Sequence, residues 1–190
     1  MLTKYLENAR VVGYDNFDSP SGWNASTEIS NGVMKITGLG GDDWHGLSKN
    51  VFFQEDQGII LDFKFPPREF FEMYLENGNW NTVPYKRIGI YINRGYADVN
   101  LFSGEEGIGF THISGNLYPK PETWYSVLMA IGKGGDFLII VWDPSNPGRY
   151  MRYREVIDNW KEKKWTFRTQ VNEGTIVYDN FLELEFDGIK

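Results

Sequence analysis

Two neighbouring stretches of the chain, residues 85–93 and 96–103, alternate regularly between apolar residues and polar or aromatic ones. Successive side chains of a β-strand point to opposite faces, so each set lies on one side. The apolar set consists of Ile88, Ile90, Ile92, Ala97, Val99 and Leu101. The pattern therefore predicts two adjacent strands, joined by a turn at Arg94-Gly95, with one face against a hydrophobic core.

The opposite face of these two strands has an unusual composition. It is formed by Tyr85, Arg87, Tyr91, Asn93, Tyr96, Asp98, Asn100 and Phe102. An ordinary solvated face would be richer in Lys, Glu and Thr. Aromatic rings stack on the C–H faces of sugar rings, and planar amide, guanidinium and carboxylate groups pair with hydroxyls. The face therefore predicts binding of a polysaccharide or oligosaccharide.

Most of the remaining chain also shows strand-like alternation between turns rich in Gly, Pro, Asn and Asp. The further predicted strands are 9–17, 32–38, 44–53, 58–65, 107–113, 123–132, 135–142, 149–154, 163–171 and 174–186. Short helical turns are predicted only at 67–73 and 156–163, with Glu72 and Glu76 on a solvated face. Many short strands between such turns predict an all-β sandwich or barrel formed by one domain over residues 1–190.

The charge and cysteine content exclude several classes of partner. The net charge is −7, and both nucleic acids and anionic membranes require a cationic surface. No apolar run is long enough for membrane insertion. The chain has no cysteine, which removes disulfides and thiol chemistry and is compatible with an extracellular or cell-surface location. We expect a module of a larger secreted protein, covalently linked to catalytic or anchoring domains.

One tetrapeptide occurs twice. Tyr14-Asp15-Asn16-Phe17 returns as Tyr178-Asp179-Asn180-Phe181, a spacing too long for a solenoid repeat. The repetition is either a coincidence between two similar strands or a sign that the terminal strands lie side by side in matching environments.

Several short motifs resemble the concanavalin A-like lectin/glucanase superfamily. They are Asn16-Phe17-Asp18 followed by Trp23, the stretch 32–36, Trp124-Tyr125, the stretch 137–143 and the stretch 174–181. The resemblance covers nearly the whole chain and implies a jelly-roll, two-sheet antiparallel β-sandwich. The superfamily includes glucanases, polysaccharide lyases, lectins, laminin-G-like adhesion domains and noncatalytic carbohydrate-binding modules, so the fold alone does not select the function.

The sequence argues against an enzyme. The Glu-x-Asp-x-x-Glu pattern of laminarinase-type members is absent, as are the strings characteristic of alginate lyases. Glu183 and Glu185 alternate with Leu182, Leu184 and Phe186, which predicts a solvent-facing pair on the last strand rather than a catalytic one. A lyase would need a base and a group that neutralises a uronate, and Tyr91, His112, Arg87 and Asn93 are the residues that would supply them.

We therefore expect a noncatalytic carbohydrate-binding module with a concave aromatic and polar sheet face. The predicted binding residues are Trp44, Trp80, Tyr85, Arg87, Tyr91, Asn93, Tyr96, Asp98, Asn100, Trp142 and Arg152. Two alternatives stay open: a glycoside hydrolase or polysaccharide lyase on the same fold, and a laminin-G-like protein-interaction or cell-surface domain.

The resemblance also implies a structural calcium ion. Related sandwiches hold one near the chain termini, with backbone carbonyls and an Asp of the last strand as ligands. Asp179 corresponds to that Asp by position, and Asp18 or the loop over 38–43 would complete the oxygen shell.

Overall fold

The computed structural model describes residues 6–19, 22–24, 28–40, 45–49, 54–64, 71–77, 86–92, 99–104, 109–112, 114–156 and 164–189. Within these residues no helix is long and apolar enough to cross a membrane. The described strands are β1 (Ala9–Asp15), β2 (Trp23–Asn24), β3 (Glu28–Ser30), β4 (Val33–Leu39), β5 (His45–Lys49), β6 (Gln57–Lys64), β7 (Phe71–Asn77), β8 (Lys86–Ile92), β9 (Val99–Gly104), β10 (Gly109–His112), β11 (Ser114–Gly115), β12 (Trp124–Gly132), β13 (Asp136–Asp143), β14 (Asn146–Val156), β15 (Thr166–Val171) and β16 (Glu173–Phe186).

The described strands form two antiparallel sheets. The larger has the order β11-β14-β13-β12-β6-β16-β4-β3, and β1 pairs in addition with β16. The long strand β16 pairs with β6 on one side, and on the other side with β4 along its first half and β1 along its second. The smaller sheet has the order β10-β9-β8-β7-β15-β5-β2. Sequence neighbours often pair as hairpins, but β7 pairs with β15, which follows it only after many intervening strands.

The core lies between the two sheets and follows the alternation of the strands. From the larger sheet, β6, β12 and β13 contribute every second residue, for example Leu61, Val127 and Ile139, which are fully buried. From the smaller sheet, Ile88 and Ile90 of β8 and neighbouring apolar residues of β7 and β15 meet them. Burial of apolar surface on this scale is the main force that holds the two sheets together.

A bridge of hydroxyl groups crosses this core. The Tyr178 hydroxyl of β16 hydrogen-bonds to the Thr169 hydroxyl of β15, and Thr169 Oγ1 donates to the carbonyl oxygen of Glu72 at 2.9 Å. Burial raises the pKa of Tyr178, so its hydroxyl keeps its proton. The hydroxyl bridge thus joins the two sheets directly beneath β7.

A second apolar cluster covers the outer side of the larger sheet. It contains Leu128, Ala130, Leu138, Ile140, Trp142, Leu184 and Phe186, all buried. The strands β12 and β13 are consequently apolar on both faces, which explains why their sequences show little alternation. A short 3-10 turn at Lys133–Gly135 joins these two strands, and Gly134 adopts a φ of 75° there that favours glycine.

The strand predictions agree well with the structure. Each of the twelve predicted strands overlaps an observed one, and the hairpin between residues 85 and 103 is confirmed as the antiparallel pair β8–β9. The strands that sequence reasoning missed are β2, β3, β7 and β11. The predicted helical turn over 156–163 lies outside the described residues except for Val156, which ends β14.

The helical turn predicted at 67–73 is wrong where the structure describes it. Phe71–Asn77 forms strand β7, in which Phe71, Met73 and Leu75 are fully buried on the core side. The spacing of four between Glu72 and Glu76 is compatible with one helical face, but it is equally compatible with one strand face. The expected solvated face is also wrong, because Glu72 and Glu76 are 6% and 9% exposed.

The repeated tetrapeptide marks two paired strands whose environments match only in part. β1 and β16 lie side by side, with Asp15 opposite Phe181. Tyr14 is exposed, whereas Tyr178 is buried in the core. Phe17 and Phe181 are both fully buried and both pack against Trp23. Adjacency of the terminal strands is therefore confirmed, and the expectation of matching environments holds for the phenylalanines and is wrong for the tyrosines.

Candidate functional site

The candidate site is the side of the smaller sheet that faces away from the core, which we call the outer polar face. Core-facing residues of β7, β8 and β15, such as Met73, Ile90 and Phe167, define the opposite direction. By alternation, the outer polar face carries Glu72, Tyr74, Glu76, Arg87, Gly89, Tyr91, Thr166, Arg168 and Gln170.

Strand register arranges these residues in three rows, with β7 in the middle. Glu72 stands between Tyr91 of β8 and Gln170 of β15. Tyr74 stands between Gly89 and Arg168, and Glu76 between Arg87 and Thr166. Residues directly opposite one another on adjacent antiparallel strands have Cβ atoms about 4.5–5.5 Å apart, so each row is a line of contacts.

Arg87 links the rows diagonally. Its Nη1 lies 3.1 Å from Glu72 Oε2, although its strand position is opposite Glu76. Between these two positions the Arg87 side chain passes over Tyr74. Its guanidinium carbon lies 5.3 Å from the centroid of the Tyr74 ring, a cation–π distance. Gly89 permits the close approach of β8 to β7, since a Cβ there would come within 2.0 Å of the Met73 carbonyl oxygen and 2.5 Å of the Tyr74 Cβ.

The other half of the face is built by β15. Gln170 donates from Nε2 to Glu72 Oε2 at 2.6 Å and accepts a hydrogen bond from the Tyr74 hydroxyl at 3.4 Å. Arg168 Nη1 lies 3.7 Å from Glu76 Oε1, and the Arg168 side chain keeps 39% exposure. The centre of the face is therefore a network of two buried carboxylates with one buried guanidinium, Arg87, and one partly exposed guanidinium, Arg168.

Burial governs the ionisation of this network. It raises the pKa of the Glu72 carboxyl, while Arg87, Gln170 and Arg168 lower it in part. It also raises the pKa of Tyr74 to about 12. Both described donors to Glu72 reach the same oxygen, Oε2, which fixes the carboxylate plane and leaves Oε1 as the oxygen that neither donor uses.

The structure brings together only part of the predicted binding set. Arg87 and Tyr91 share the outer polar face, with Arg87 buried and Tyr91 partly exposed. The register pairs Tyr91 with Asn100, whose backbone is described but whose side chain is not. The predicted residues that lie outside the described part of the chain are Trp44, Trp80, Tyr85, Asn93, Tyr96 and Asp98.

Trp142 and Arg152 lie elsewhere. Both project from the outer side of the larger sheet, where Trp142 packs into the second apolar cluster and is 7% exposed. Arg152 stands opposite Ile140 on the neighbouring strand. The expectation that these two join Arg87 and Tyr91 on one surface is wrong, because strand order across a sandwich is not readable from alternation.

Glu183 and Glu185 do not form a plain solvent face. Leu182, Leu184 and Phe186 belong to the second apolar cluster on the outer side of the sheet, so Glu183 points the other way. Its Oε1 lies 4.0 Å from Lys49 Nζ, and its side chain is 25% exposed. Glu185 pairs with the exposed Arg10. The predicted solvent face is therefore wrong for Glu183.

Sequence reasoning missed Glu72, Tyr74 and Glu76 of β7, and Arg168 and Gln170 of β15. The alternation of Phe71, Met73 and Leu75 was the available signal for β7. No sequence signal joins β7 to β15, since Gln170 follows Glu72 by 98 residues.

The predicted calcium ligands can be compared with their surroundings. A Cβ on Gly32 would lie 3.6 Å from the Asn16 carbonyl oxygen and 4.0 Å from Asp18 Oδ1, so these oxygens converge. Asp179 Oδ1 accepts the backbone N–H of Asn180 at 2.7 Å. Within the described residues no group of three or more His, Cys, Asp or Glu side chains could hold a metal. Backbone oxygens are acceptable calcium ligands, and a calcium site with Asp18 and Asp179 stays a prediction.

Comparison with known proteins gives a likeness in fold. No family model matches the sequence. No curated protein matches it either. Solved structures do match: the CBM2 module of the evolved Dit protein of Lactobacillus casei BL23 phage J-1 is 7% identical with a TM-score of 0.66, over 95% of this chain and 97% of that one.

Two enzymes are also similar in structure. The endo-β-1,3-glucanase of Pyrococcus furiosus is 10% identical with a TM-score of 0.69, over 95% of both chains. The endo-β-1,4-glucuronan lyase of the fungus Trichoderma reesei is 13% identical with a TM-score of 0.58, over 95% of this chain and 96% of the lyase. These identities establish the fold and leave the activity open. The chain has the jelly-roll, two-sheet β-sandwich of these proteins, and the concanavalin A-like fold expected from its motifs is confirmed.

Proposed function

We propose that this chain is a noncatalytic carbohydrate-binding module that recognises polysaccharide on its outer polar face. The observation that carries the proposal is the network around β7, where Arg87 pairs with Glu72 at 3.1 Å and lies over the Tyr74 ring. The two carboxylates of the face are thus held as ion-paired, hydrogen-bonding groups. Carbohydrate-active proteins share the fold, which supports a glycan as the ligand. Secretion and attachment to catalytic or anchoring domains belong to the same proposal.

The partly exposed groups of the face would make the sugar contacts. Tyr91 offers a ring and a hydroxyl, Gln170 an amide, and Arg168 a guanidinium with 39% exposure. Rings of this kind suit the C–H faces of sugars, and the polar groups suit hydroxyls. An open sheet face excludes little water, so a single module would bind weakly and gain from attachment to a second domain.

Affinity gel electrophoresis against a panel of soluble polysaccharides tests this proposal. We expect at least one glycan to retard the parent chain and Tyr91→Ala to lose most of the retardation. Tyr118→Ala is the matched control, since Tyr118 is exposed and lies outside the face. A parent chain that no glycan retards contradicts the proposal and favours the protein-interaction alternative.

A glycoside hydrolase is the second candidate, and one observation favours it. Glu72 and Glu76 share a strand face, and burial raises the pKa of Glu72, as a general acid requires. Strand rise separates their Cα atoms by roughly 13 Å. Catalytic carboxyl groups lie about 5–5.5 Å or about 6.5–9.5 Å apart, so the side chains of Glu72 and Glu76 would have to lean toward each other along β7 to act as a pair. Release of reducing ends from any panel glycan, abolished by Glu76→Gln, would establish this candidate in place of the first.

A further inference from the structure

We infer that the outer polar face selects uncharged glycans and discriminates against uronate-bearing chains, and that the ion pair between Glu72 and Arg87 is the determinant. This inference rests on the proposed function and names the class of glycan. It is carried by how the charged groups of the face are already engaged with one another.

The described charges on the face balance. Glu72 pairs with Arg87 at 3.1 Å, and Glu76 faces Arg168 at 3.7 Å. A glycan therefore meets compensated charge locally, whereas the whole chain carries a net charge of −7 that repels polyanions at longer range. Neither effect penalises a neutral sugar.

A guanidinium binds a carboxylate through two parallel hydrogen bonds. The described face has two guanidinium groups: Arg168, which is partly exposed and faces Glu76, and Arg87, which pairs with Glu72. The Arg87 side chain is 7% exposed, held by Glu72 and stacked on Tyr74. A uronate that took Nη1 of Arg87 would displace Glu72, which is also 7% exposed and would keep the Gln170 amide but lose its counter-ion. Breaking such a pair is strongly unfavourable.

A hydroxyl has no such requirement. It can donate to Glu72 Oε1, the oxygen that Arg87 and Gln170 do not use, without disturbing the ion pair. A ligand carboxylate placed at the same position accepts only, cannot make this bond and meets the charge of Glu72. The same geometry thus admits a sugar hydroxyl and opposes a uronate carboxylate at that position.

The test compares matched oligosaccharides of six residues: β-1,4-glucan with β-1,4-glucuronan, and β-1,4-mannan with β-1,4-mannuronan. Binding is measured by calorimetry at low and at physiological salt. For the parent chain we expect the neutral member of a pair to bind at least tenfold more tightly than the acidic member. In Glu72→Gln, the guanidinium of Arg87 loses its described carboxylate partner, and we expect affinity for the acidic member to rise about tenfold or more.

Controls separate local from global charge and guard against misfolding. Glu122→Gln makes the same change in net charge at a residue that pairs with Lys64 of the other sheet, and it should leave the preference unchanged. Glu76→Gln acts on the more exposed Arg168 and should shift the preference between neutral and acidic glycans in the same direction. This second variant keeps the test available if Glu72→Gln does not fold. The gain in the two face variants should weaken with salt.

The outcomes distinguish this inference from the proposed function. A parent that binds the acidic member as tightly as the neutral one overturns the inference and leaves carbohydrate binding intact. An unchanged preference in both face variants overturns the role of the ion pairs. A parent that binds neither these four ligands nor any glycan of the panel overturns the proposed function and the inference together.

Discussion

Two ion pairs of this protein consist of the same kinds of group, but their carboxyl pKa values shift in opposite directions. Lys49 lies against core rings, with Nζ 2.9 Å from Asp15 Oδ2 and 4.7 Å from the Trp23 ring. On the outer polar face, Arg87 lies 3.1 Å from Glu72 and 5.3 Å from the Tyr74 ring. Each pair is a buried cation on an aromatic ring with a carboxylate that is buried in Glu72 and half-buried in Asp15. Yet the pKa of Asp15 is lowered and the pKa of Glu72 is raised.

The difference comes from how the carboxylate oxygens are satisfied. Burial pushes the pKa of Asp15 upward, but hydrogen bonds from Lys49, Trp23 Nε1 and the Phe17 backbone N–H outweigh it and use both oxygens. In Glu72 the described donors use only Oε2, and desolvation prevails. Glu72 is also the more deeply buried carboxylate, with its side chain 7% exposed against 15% for Asp15. Depth and the number and placement of donors together set the direction of the pKa shift.

The largest expected effect follows from removing the core cation. In Lys49→Met, Asp15 keeps two donors but loses its counter-ion, and the rings of Trp23 and Phe181 lose the ammonium group 4.7 and 5.1 Å away. We expect a loss of about 3 kcal/mol in the free energy of unfolding at neutral pH. Urea unfolding followed by tryptophan fluorescence measures it.

The matched control for this change is Lys64→Met. Lys64 also has a carboxylate partner, Glu122 at 3.8 Å, and a ring, Trp124 at 5.8 Å, but both of its ion-pair partners are partly exposed. We expect a loss below about 1 kcal/mol. Equal losses in the two variants would show that burial adds nothing to the core pair.

Removal of Arg87 should cost less, and its cost should depend on pH. In Arg87→Met, Glu72 keeps Gln170 but loses its counter-ion, so its already raised pKa rises further. The folded state then binds a proton more readily than the unfolded state. The loss in unfolding free energy relative to the parent, about 2 kcal/mol at pH 7, should therefore shrink as pH falls toward about 4.3, the pKa of glutamate in the unfolded chain.

Urea midpoints between pH 7 and pH 4.5 measure this dependence. The double variant Arg87→Met/Glu72→Gln removes both charges, and its stability should depend less on pH in this window. A deficit in Arg87→Met that stays constant with pH would mean that Glu72 does not take up the proton, and the contrast with Asp15 would disappear.

The strands could be predicted from the sequence because each carries its own pattern. Ile88 and Ile90 face the core and Arg87 and Tyr91 face away, as alternation requires. The core position of Lys49 could not be predicted, because it depends on β2 bringing Trp23 opposite Lys49 and on β16 bringing Phe181 nearby. Long-range pairing, which the local sequence does not encode, decides such neighbours.

The candidate site shows the same limit. Arg87 was predicted as a sugar contact from its strand face, and that face is correct. Its burial follows from Glu72 and Gln170, which reach it through the pairing of β7 with β8 and β15. Trp142 was expected at the binding surface and packs instead into the apolar outer side of the larger sheet, since its neighbours there are supplied by other strands. The local sequence pattern predicts which face of a strand each residue lies on. The order of strands in the sheet determines which residues it contacts.

Neutralising Asp15 should also cost less stability as pH falls, but in a lower pH window than the loss of Arg87. The lowered pKa of Asp15 means that its stabilisation is present above the unfolded pKa of about 3.9 and is lost as pH falls through the folded pKa. We expect Asp15→Asn to lose about 1.5 kcal/mol at pH 6, and the difference from the parent to vanish at strongly acidic pH. Thermal unfolding at several pH values measures it, with Asp187→Asn, the same change at an exposed position, as the control. A difference that persists undiminished in acid would show that Asp15 acts through shape and not through charge.

The smallest effect concerns the two tyrosines of the repeated tetrapeptide, each linked to one of the pairs. Tyr178 supplies the hydroxyl bridge through Thr169 to the carbonyl of Glu72, whereas Tyr14 precedes Asp15 and donates to Asn180 Oδ1 at 3.1 Å from an exposed position. Tyr178→Phe removes one buried hydrogen bond while Thr169 keeps its bond to Glu72, so we expect a loss of about 1 kcal/mol in unfolding free energy. Tyr14→Phe should lose less than about 0.5 kcal/mol, because water replaces its exposed bond.

Hydrogen exchange of β7 amides adds a local readout: faster exchange in Tyr178→Phe alone would show that the core holds the outer polar face in place. Equal effects of the two substitutions would mean that the hydroxyl bridge does not support Glu72.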